Sequence, residues 1–242
     1  MVVFGALAVL VSAIVKGAIG TGFPTLATPL LTLFLDVKIA VVLLIVPNIV
    51  MDAVQLVRRG SPLPAVRRFF PLLVFGAVGT VLGTRLLVVL PPHTVMLVLG
   101  AFILLFVALN ATTFSPRLPP GWEPWTSPVA GLVAGVVGGV TNVPGTPLVI
   151  YFYALGLPKQ EFVRSLAVTF IVYKVVQLVS VTWYGLLTVP LFGISAVLTL
   201  VALGGFALGL AVQDRLEQRA FNRAVLIFLA ALGLWLTARG LL

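Results

Sequence analysis

The chain contains no cysteine, one histidine and few charged residues among its 242 positions. The missing cysteines exclude disulfides, thiolate metal sites and a cysteine nucleophile. Charged residues make up 9% of the sequence, whereas a soluble domain needs roughly a quarter. With 61% hydrophobic residues and a mean hydropathy of +1.22, the sequence predicts an all-α polytopic membrane protein.

Acidic residues are the scarcest charged class, with 6 Asp and Glu against 15 Lys and Arg. In a soluble protein such an excess would favour nucleic acid as a partner. Here the cations fall mostly in short loops between apolar runs, where they set membrane topology. The single His93 lies in a Pro-Pro-His turn, where an interfacial position is more common than a ligand role. We therefore expect no nucleic acid, metal or cofactor.

Catalytic side chains are also sparse within the apolar runs. No Ser/His pair, paired aspartates or nucleotide-binding loop is present, which argues against an intramembrane enzyme and against direct use of ATP. The predicted apolar segments, two of them too short to span a bilayer alone, are 2–22, 24–35, 37–57, 69–90, 94–113, 128–141, 144–156, 162–182, 189–212 and 224–238.

Two of these segments share an internal repeat. GAIGTGFPTLATPLL (Gly17–Leu31) aligns without a gap to GVVGGVTNVPGTPLV (Gly135–Val149) at an offset of 118 residues. Each copy interrupts an apolar run with glycine and proline. Interruptions at corresponding positions of two halves are the best sequence pointer to the substrate site of a transporter.

The repeat continues beyond the interruptions. Val54–Val57 and Val176–Val179 share the sequence Val-Gln-Leu-Val at an offset of 122, and the Gly-x-x-x-Gly pairs at 79–83 and 205–209 follow at an offset of 126. We expect those glycine pairs to be helix-packing contacts. The predicted organisation is a first repeat at 1–113, a linker at 114–127 and a second repeat at 128–242, within one membrane domain.

The loop charges favour an inverted arrangement of the two repeats. If each interrupted segment is a re-entrant hairpin, three transmembrane helices follow it in each half, and the halves are inverted. One side then carries only Lys38 and Arg239 of the loop cations, and the positive-inside tendency makes the other side cytoplasmic, with the N-terminus outside. That cytoplasmic side carries ten cations: Arg58, Arg59, Arg67, Arg68, Arg117, Lys159, Arg164, Arg215, Arg219 and Arg223.

Each interruption could start a short helix near the middle of the membrane. Pro24 and Pro144 suit the first turn of such a helix, and Thr21 and Asn142 could cap it. The free N–H groups of a helix start attract an anion. For one interruption alone a kink or a packing contact is the commoner explanation, but two matched ones favour a site. The predicted substrate-binding residues are Gly20, Thr21, Gly22, Thr25, Gln55, Thr141, Asn142, Gly145, Thr146 and Gln177.

Two ionisable residues fall deep inside predicted spans. Asp52 and Lys174 are equivalent positions at the offset of 122, so an inverted repeat could bring them together as an ion pair. The pair could be a static support, or it could exchange partners or protons during transport. Gln55 and Gln177 could bind substrate or pack between helices. Lys16 and Arg164 could attract an anion, or their side chains could extend to an interface.

These residues resemble the TauE/SafE family of sulfite exporters, also described as anion permeases. The resemblance covers nearly the whole chain and rests on the Gly-x-x-Gly…Thr-Pro-Leu blocks at Gly17–Leu30 and Gly135–Leu148 and on the basic loop in each half. It implies movement of sulfite or a small organosulfonate across the cytoplasmic membrane, usually outward.

The sequence thus predicts a secondary transporter of a small anion in the inner membrane, working by alternating access. An anion channel with two re-entrant loops is the alternative, and a purely structural membrane subunit would leave the paired interruptions unexplained. Proton coupling through Asp52 and a homodimer are both compatible with the sequence.

Overall fold

The computed structural model describes residues 2–59, 61–111, 117–119, 121–212 and 218–241. Part of the predicted linker 114–127 therefore lies outside the described residues. So do Arg215 and the side chains of Arg59, Lys159, Arg219 and Arg223, which the topology prediction used.

Twelve helices form the described part of the chain, which contains no strand. The first half contains α1 (Val2–Ile19), α2 (Phe23–Thr32), α3 (Val37–Leu43), α4 (Ile45–Arg59), α5 (Leu63–Arg68), α6 (Phe70–Val89) and α7 (Pro92–Ala111). The second half contains α8 (Glu123–Thr141), α9 (Gly145–Ala154), α10 (Lys159–Trp183), α11 (Val189–Val212) and α12 (Gln218–Leu241).

Within the described ranges, five helical stretches are long and apolar enough to cross a membrane, which confirms the polytopic class. They are Val37–Arg58, Phe70–Val89, Pro92–Leu109, Gln160–Trp183 and Val189–Val212. Many large apolar side chains on these helices are exposed, among them Val197 and Leu200 of α11 at 61% and 71%. Lipid is the environment in which such exposure has no hydrophobic cost.

Three of the differences from the sequence prediction involve proline. The expected helix 37–57 is divided at Leu44, because Pro47 has no N–H and its ring crowds the carbonyl of Leu43. Helix α8 begins at Glu123 rather than 128, with Pro124 in its first turn, where proline is tolerated. The short helix α5 was not predicted, and it too has proline in its first turn.

The closest helix pairs follow the repeat. Helix α1 packs along α11 and α8 along α6, while α4 packs on α10 and α7 on α12. Glycines make the first two contacts possible: a Cβ added at Gly17 would lie 2.8 Å from Gly209 Cα, and one at Gly135 would lie 2.8 Å from Thr80 N. The Gly-x-x-x-Gly pairs lie in these same contacts, as expected, since a Cβ at Gly79 would approach Val136 N to 3.0 Å.

Both interrupted segments return toward their starting point. Gly5, near the start of α1, faces Leu31 at the end of α2 and Phe34 just after it, whose side chains would lie 3.7 and 3.8 Å from an added Cβ. In the second half, the N–H of Leu118, just before α8, donates to the carbonyl of Ala154 at the end of α9, at 2.9 Å. Each interrupted segment is therefore a helical hairpin, α1–α2 and α8–α9.

An exposed ion cluster joins three chain segments next to the second hairpin. Arg68 donates to Glu123 at 2.9 Å and to Glu161 at 2.7 Å, so the end of α5 is tied to the starts of α8 and α10. The hydrogen bond to Glu123 is the main cause that raises the pKa of Arg68 above its ordinary value, so this guanidinium stays charged. Elsewhere, Lys38 Nζ donates to the carbonyl of Val88 at 2.8 Å, which joins the start of α3 to the end of α6.

Candidate functional site

The first hairpin turns at two glycines with left-handed backbone. Gly20 has φ +93° and Gly22 has φ +96°, and residues with a Cβ rarely adopt such positive φ angles. Helix α2 then begins at Phe23 with Pro24 in its first turn, and Gly22 is its N-cap. Thr21 was expected to cap this helix, but its start has no side-chain cap, because the N-cap position is taken by Gly22, which has no side chain to accept a hydrogen bond.

The second hairpin turns at Asn142, which has φ +69° and is the C-cap of α8. Its N–H donates to the carbonyl of Gly138 at 2.9 Å. The prediction that Asn142 caps the following helix is wrong: Pro144 is the N-cap of α9, and no side chain caps it. Asparagine tolerates the left-handed region better than other residues with a Cβ, so it ends α8 where the first hairpin uses glycine.

The two hairpins meet inside the protein. Asn142 Nδ2 donates to Thr28 Oγ1 of α2 at 3.4 Å, and both side chains are buried. Next to this contact, Val15 and Leu26 of the first hairpin share one hydrophobic cluster with Val140 and Val143 of the second. The turn of the second hairpin therefore contacts the middle of α2 in the first hairpin.

A buried ion pair flanks the first hairpin. Lys16 Nζ lies 2.5 Å from Asp52 Oδ1 and also donates to Asn48 Oδ1 at 3.0 Å. The three side chains are at most 1% exposed. Removing either partner of such a pair leaves an uncompensated buried charge, which typically costs about 3–5 kcal/mol.

A second buried lysine anchors the second hairpin. Lys174 Nζ donates to the main-chain oxygen of Asn142 at 3.2 Å, to Asn142 Oδ1, and to Gln177 Oε1 at 2.6 Å. The expected direct ion pair between Asp52 and Lys174 is corrected by this geometry. Asp52 pairs directly with Lys16, which lies in the last turn of α1, just before the first interruption. Lys174 remains within electrostatic reach of the Asp52 carboxylate.

The two glutamines of the repeat bind main-chain carbonyls at the interruptions. Gln55 Nε2 donates to the carbonyl of Gly20 at 3.0 Å. Gln177 Nε2 donates to the carbonyls of Gly138 and Gly139, both at 3.2 Å. Gly20 and Gly138 are themselves equivalent in the repeat. Inside a membrane a carbonyl freed by a helix end must be satisfied within the protein, and these amides do so.

Several buried polar atoms near the interruptions have no hydrogen-bond partner among the described residues. They are Asn48 Nδ2, Asp52 Oδ2, Gln55 Oε1 and Thr146 Oγ1. Native proteins leave few such atoms, and each calls for an explanation such as a water or a ligand. Thr146 is the second residue of α9, so its hydroxyl lies where the N–H groups of that helix are free.

The structure places the other predicted site residues at varying distances from this centre. Thr25 is buried in α2, and Thr141 Oγ1 donates to Val137 O at 2.7 Å and accepts from Val143 N at 3.2 Å, which shapes the turn. Arg164 is half-buried, with its Nε lacking a partner among the described residues. It lies ten positions before Lys174 on α10, roughly 15 Å along the axis, and is not part of the central cluster.

Sequence reasoning missed two members of the cluster, Asn48 and Thr28. Asn48 corresponds to Phe170 in the second half, so the repeat gave no indication of it. A polar residue within Ile45–Val50, an otherwise apolar stretch, was the available signal. Thr28 was matched to Thr146 in the repeat, but only the second of these was assigned to the site.

Comparison with known proteins identifies the family of this chain. The family model described as sulfite exporter TauE/SafE matches residues 4–236, and the chain belongs to this family. Neither a curated protein nor a solved structure matches the chain.

Proposed function

We propose that this protein is a secondary transporter that moves a small anion, sulfite or an organosulfonate, by alternating access around the two hairpin tips. The observation that carries the proposal is the contact between the hairpins, Asn142 with Thr28, beside two buried lysines. Membership of a sulfite exporter family supports the same substrate class.

The helix starts at the tips have the chemistry of an oxyanion site. The first N–H groups of α2 and α9 have no partners within their own helices, and the aligned peptide dipoles give each start about half a positive charge. Pro24 and Pro147 remove one N–H from each first turn, so the remaining donors come from a few defined positions. A small oxyanion held between two such starts needs few side-chain ligands, which suits the neutral residues present here.

An inverted repeat fits the contacts of both hairpins. Because α1–α2 and α8–α9 each return to the end where they start, three further crossings in each half place the second hairpin at the end opposite the first. The matched packing of α1 on α11 and of α8 on α6 supports a pseudo-two-fold relation. If the side with the ten loop cations is cytoplasmic, the protein would lie in the inner membrane with its N-terminus outside.

The Lys16–Asp52 pair is the proposed coupling element. Asp52 Oδ2 lacks a partner in the described part of the chain, and Lys174 is within electrostatic reach. If the carboxylate exchanges Lys16 for Lys174, or takes up a proton, the two hairpins would be released in turn. Transport would then be linked to proton movement.

The experiment that tests the proposal is flux into proteoliposomes with sulfite, sulfoacetate, sulfate and chloride. We expect saturable sulfite or sulfonate uptake that is accelerated by the same anion on the opposite side. Conductance without saturation or counterflow would favour an anion channel. Failure of every oxyanion to bind or move would refute the anion proposal.

A further inference from the structure

The buried charges near the hairpin tips do not sum to zero. Among the described residues, the charged side chains that are buried are Lys16, Asp52 and Lys174, each 1% exposed. Helix α4, which carries Asp52, packs against α10, which carries Lys174, and Lys16 is paired with Asp52, so the three groups interact electrostatically. With all three ionised, the cluster carries one uncompensated positive charge.

That surplus charge belongs to Lys174. Lys16 is neutralised directly by Asp52 at 2.5 Å, whereas the acceptors of Lys174 are the neutral oxygens of Asn142 and Gln177. A charge removed from water without an opposite charge is unfavourable even when its hydrogen bonds are satisfied. One negative charge nearby would complete the balance.

We propose that the hairpin tips select a singly charged oxyanion, and that Lys174 provides the positive charge which this anion neutralises. The inference rests on the proposed function and specifies its substrate class: bisulfite and simple sulfonates, in preference to dianions such as sulfate. A dianion would leave the buried cluster with one surplus negative charge.

Lys174 acts on the anion through its charge rather than by a direct bond. Its three ammonium protons already have three acceptors, which hold it against the second hairpin. Direct contacts come instead from groups that are free, the first N–H groups of α9 and the buried Thr146 hydroxyl, which has no partner in the part of the chain that is described. Lys174 is therefore a positioning residue as well as a source of charge.

The test is equilibrium binding of methanesulfonate and sulfate to the whole protein in lipid nanodiscs, at one pH and ionic strength. Methanesulfonate carries one charge and sulfate two at any pH near neutral. We expect methanesulfonate to bind at least tenfold more tightly. Sulfate that binds as tightly as methanesulfonate would overturn the charge inference while leaving anion transport intact. Failure of sulfate, methanesulfonate and sulfite to bind at all would instead overturn the proposed function along with it.

Sulfate is more strongly hydrated than methanesulfonate, which by itself would weaken its binding. Variants separate this effect from charge balance, because the hydration of each anion in water is the same whichever variant it binds. Asp52→Asn raises the cluster charge by one and should reduce the preference for methanesulfonate at least tenfold. Lys174→Gln removes the surplus and should weaken methanesulfonate binding at least tenfold, with a normal thermal melt confirming the fold. Asp36→Asn, which keeps an N-cap side chain far from the cluster, should leave the ratio unchanged. An unchanged ratio in Asp52→Asn, or unchanged binding in folded Lys174→Gln, would contradict the inference.

Discussion

The two hairpin tips are equivalent in sequence but are anchored differently. At the second tip, Asn142 is fully buried, and its oxygens accept from Lys174 while Gln177 binds two carbonyls behind it. The first tip, Gly20–Gly22, is half-exposed and is bound through the single amide of Gln55. One repeat unit has thus given two tips with different numbers of anchoring hydrogen bonds, and we expect the Gly20–Gly22 tip to move more during transport.

The largest expected effect concerns a feature that the halves share, the glycine contacts of α1 and α8. Gly17→Val and Gly135→Val should each prevent folding, because any Cβ would collide with the backbone of the facing helix. Yield of monodisperse protein after purification measures this. Gly193→Val is the control, since a Cβ there meets nothing within 4 Å. A well-folded Gly17→Val with an unfolded Gly135→Val would show that the halves are not packed alike.

The glutamines provide the sharpest comparison of the two tips. Gln177→Leu removes two donated hydrogen bonds and one accepted from Lys174, and should cost about 2–4 kcal/mol of stability, at about 1 kcal/mol for each bond. Gln55→Leu removes one, and should cost about 1 kcal/mol.

Unfolding of the two glutamine variants in a detergent and denaturant series gives both free energies. Transport by Gln55→Leu should be altered more than its stability, because Gln55 Oε1, which has no partner among the described residues, is the atom proposed to meet the substrate. Equal losses of stability in the two variants would remove the proposed difference between the tips.

Changing the backbone conformation at the first tip should reduce stability less than removing the hydrogen bonds that anchor the second tip. Gly22→Ala keeps open space around its Cβ but forces alanine to φ +96°, which should cost about 1–2 kcal/mol. Gly193→Ala, on α11 with no left-handed φ, should be neutral or slightly stabilising. Melting temperatures of the two variants test this, and an unaffected Gly22→Ala would mean that the tip can adopt another backbone conformation.

The smallest expected effect lies at the exposed cluster that joins the second hairpin to α5 and α10. Arg68→Met should cost about 1 kcal/mol or less, because Arg68 is 39% exposed and solvent screens its pairs with Glu123 and Glu161. The loss should shrink further in high salt. A loss of several kcal/mol that is insensitive to salt would mean that the cluster anchors the hairpin far more strongly than its exposure suggests.

Much of the fold could be predicted from hydropathy and the repeat, because long apolar runs and matched glycines directly determine spans and close contacts. The partner of Asp52 could not. The repeat relates Asp52 to Lys174, but the side chain of Lys16, one helix away on α1, reaches the carboxylate first. The caps were missed for a similar reason: whether Asn142 ends α8 or begins α9 depends on its left-handed φ, which residue type alone leaves open.

The most direct test of the central claim uses the absence of native cysteine. Single cysteines at Thr21 and at Gly145 place one thiol at each tip, and Ser61→Cys provides an exposed control. We predict that methanesulfonate slows modification of both tip cysteines by a polar thiol reagent with the same half-saturating concentration, and leaves Ser61→Cys unaffected. Protection of one tip alone, or of neither, would contradict a single anion site shared by the two hairpins.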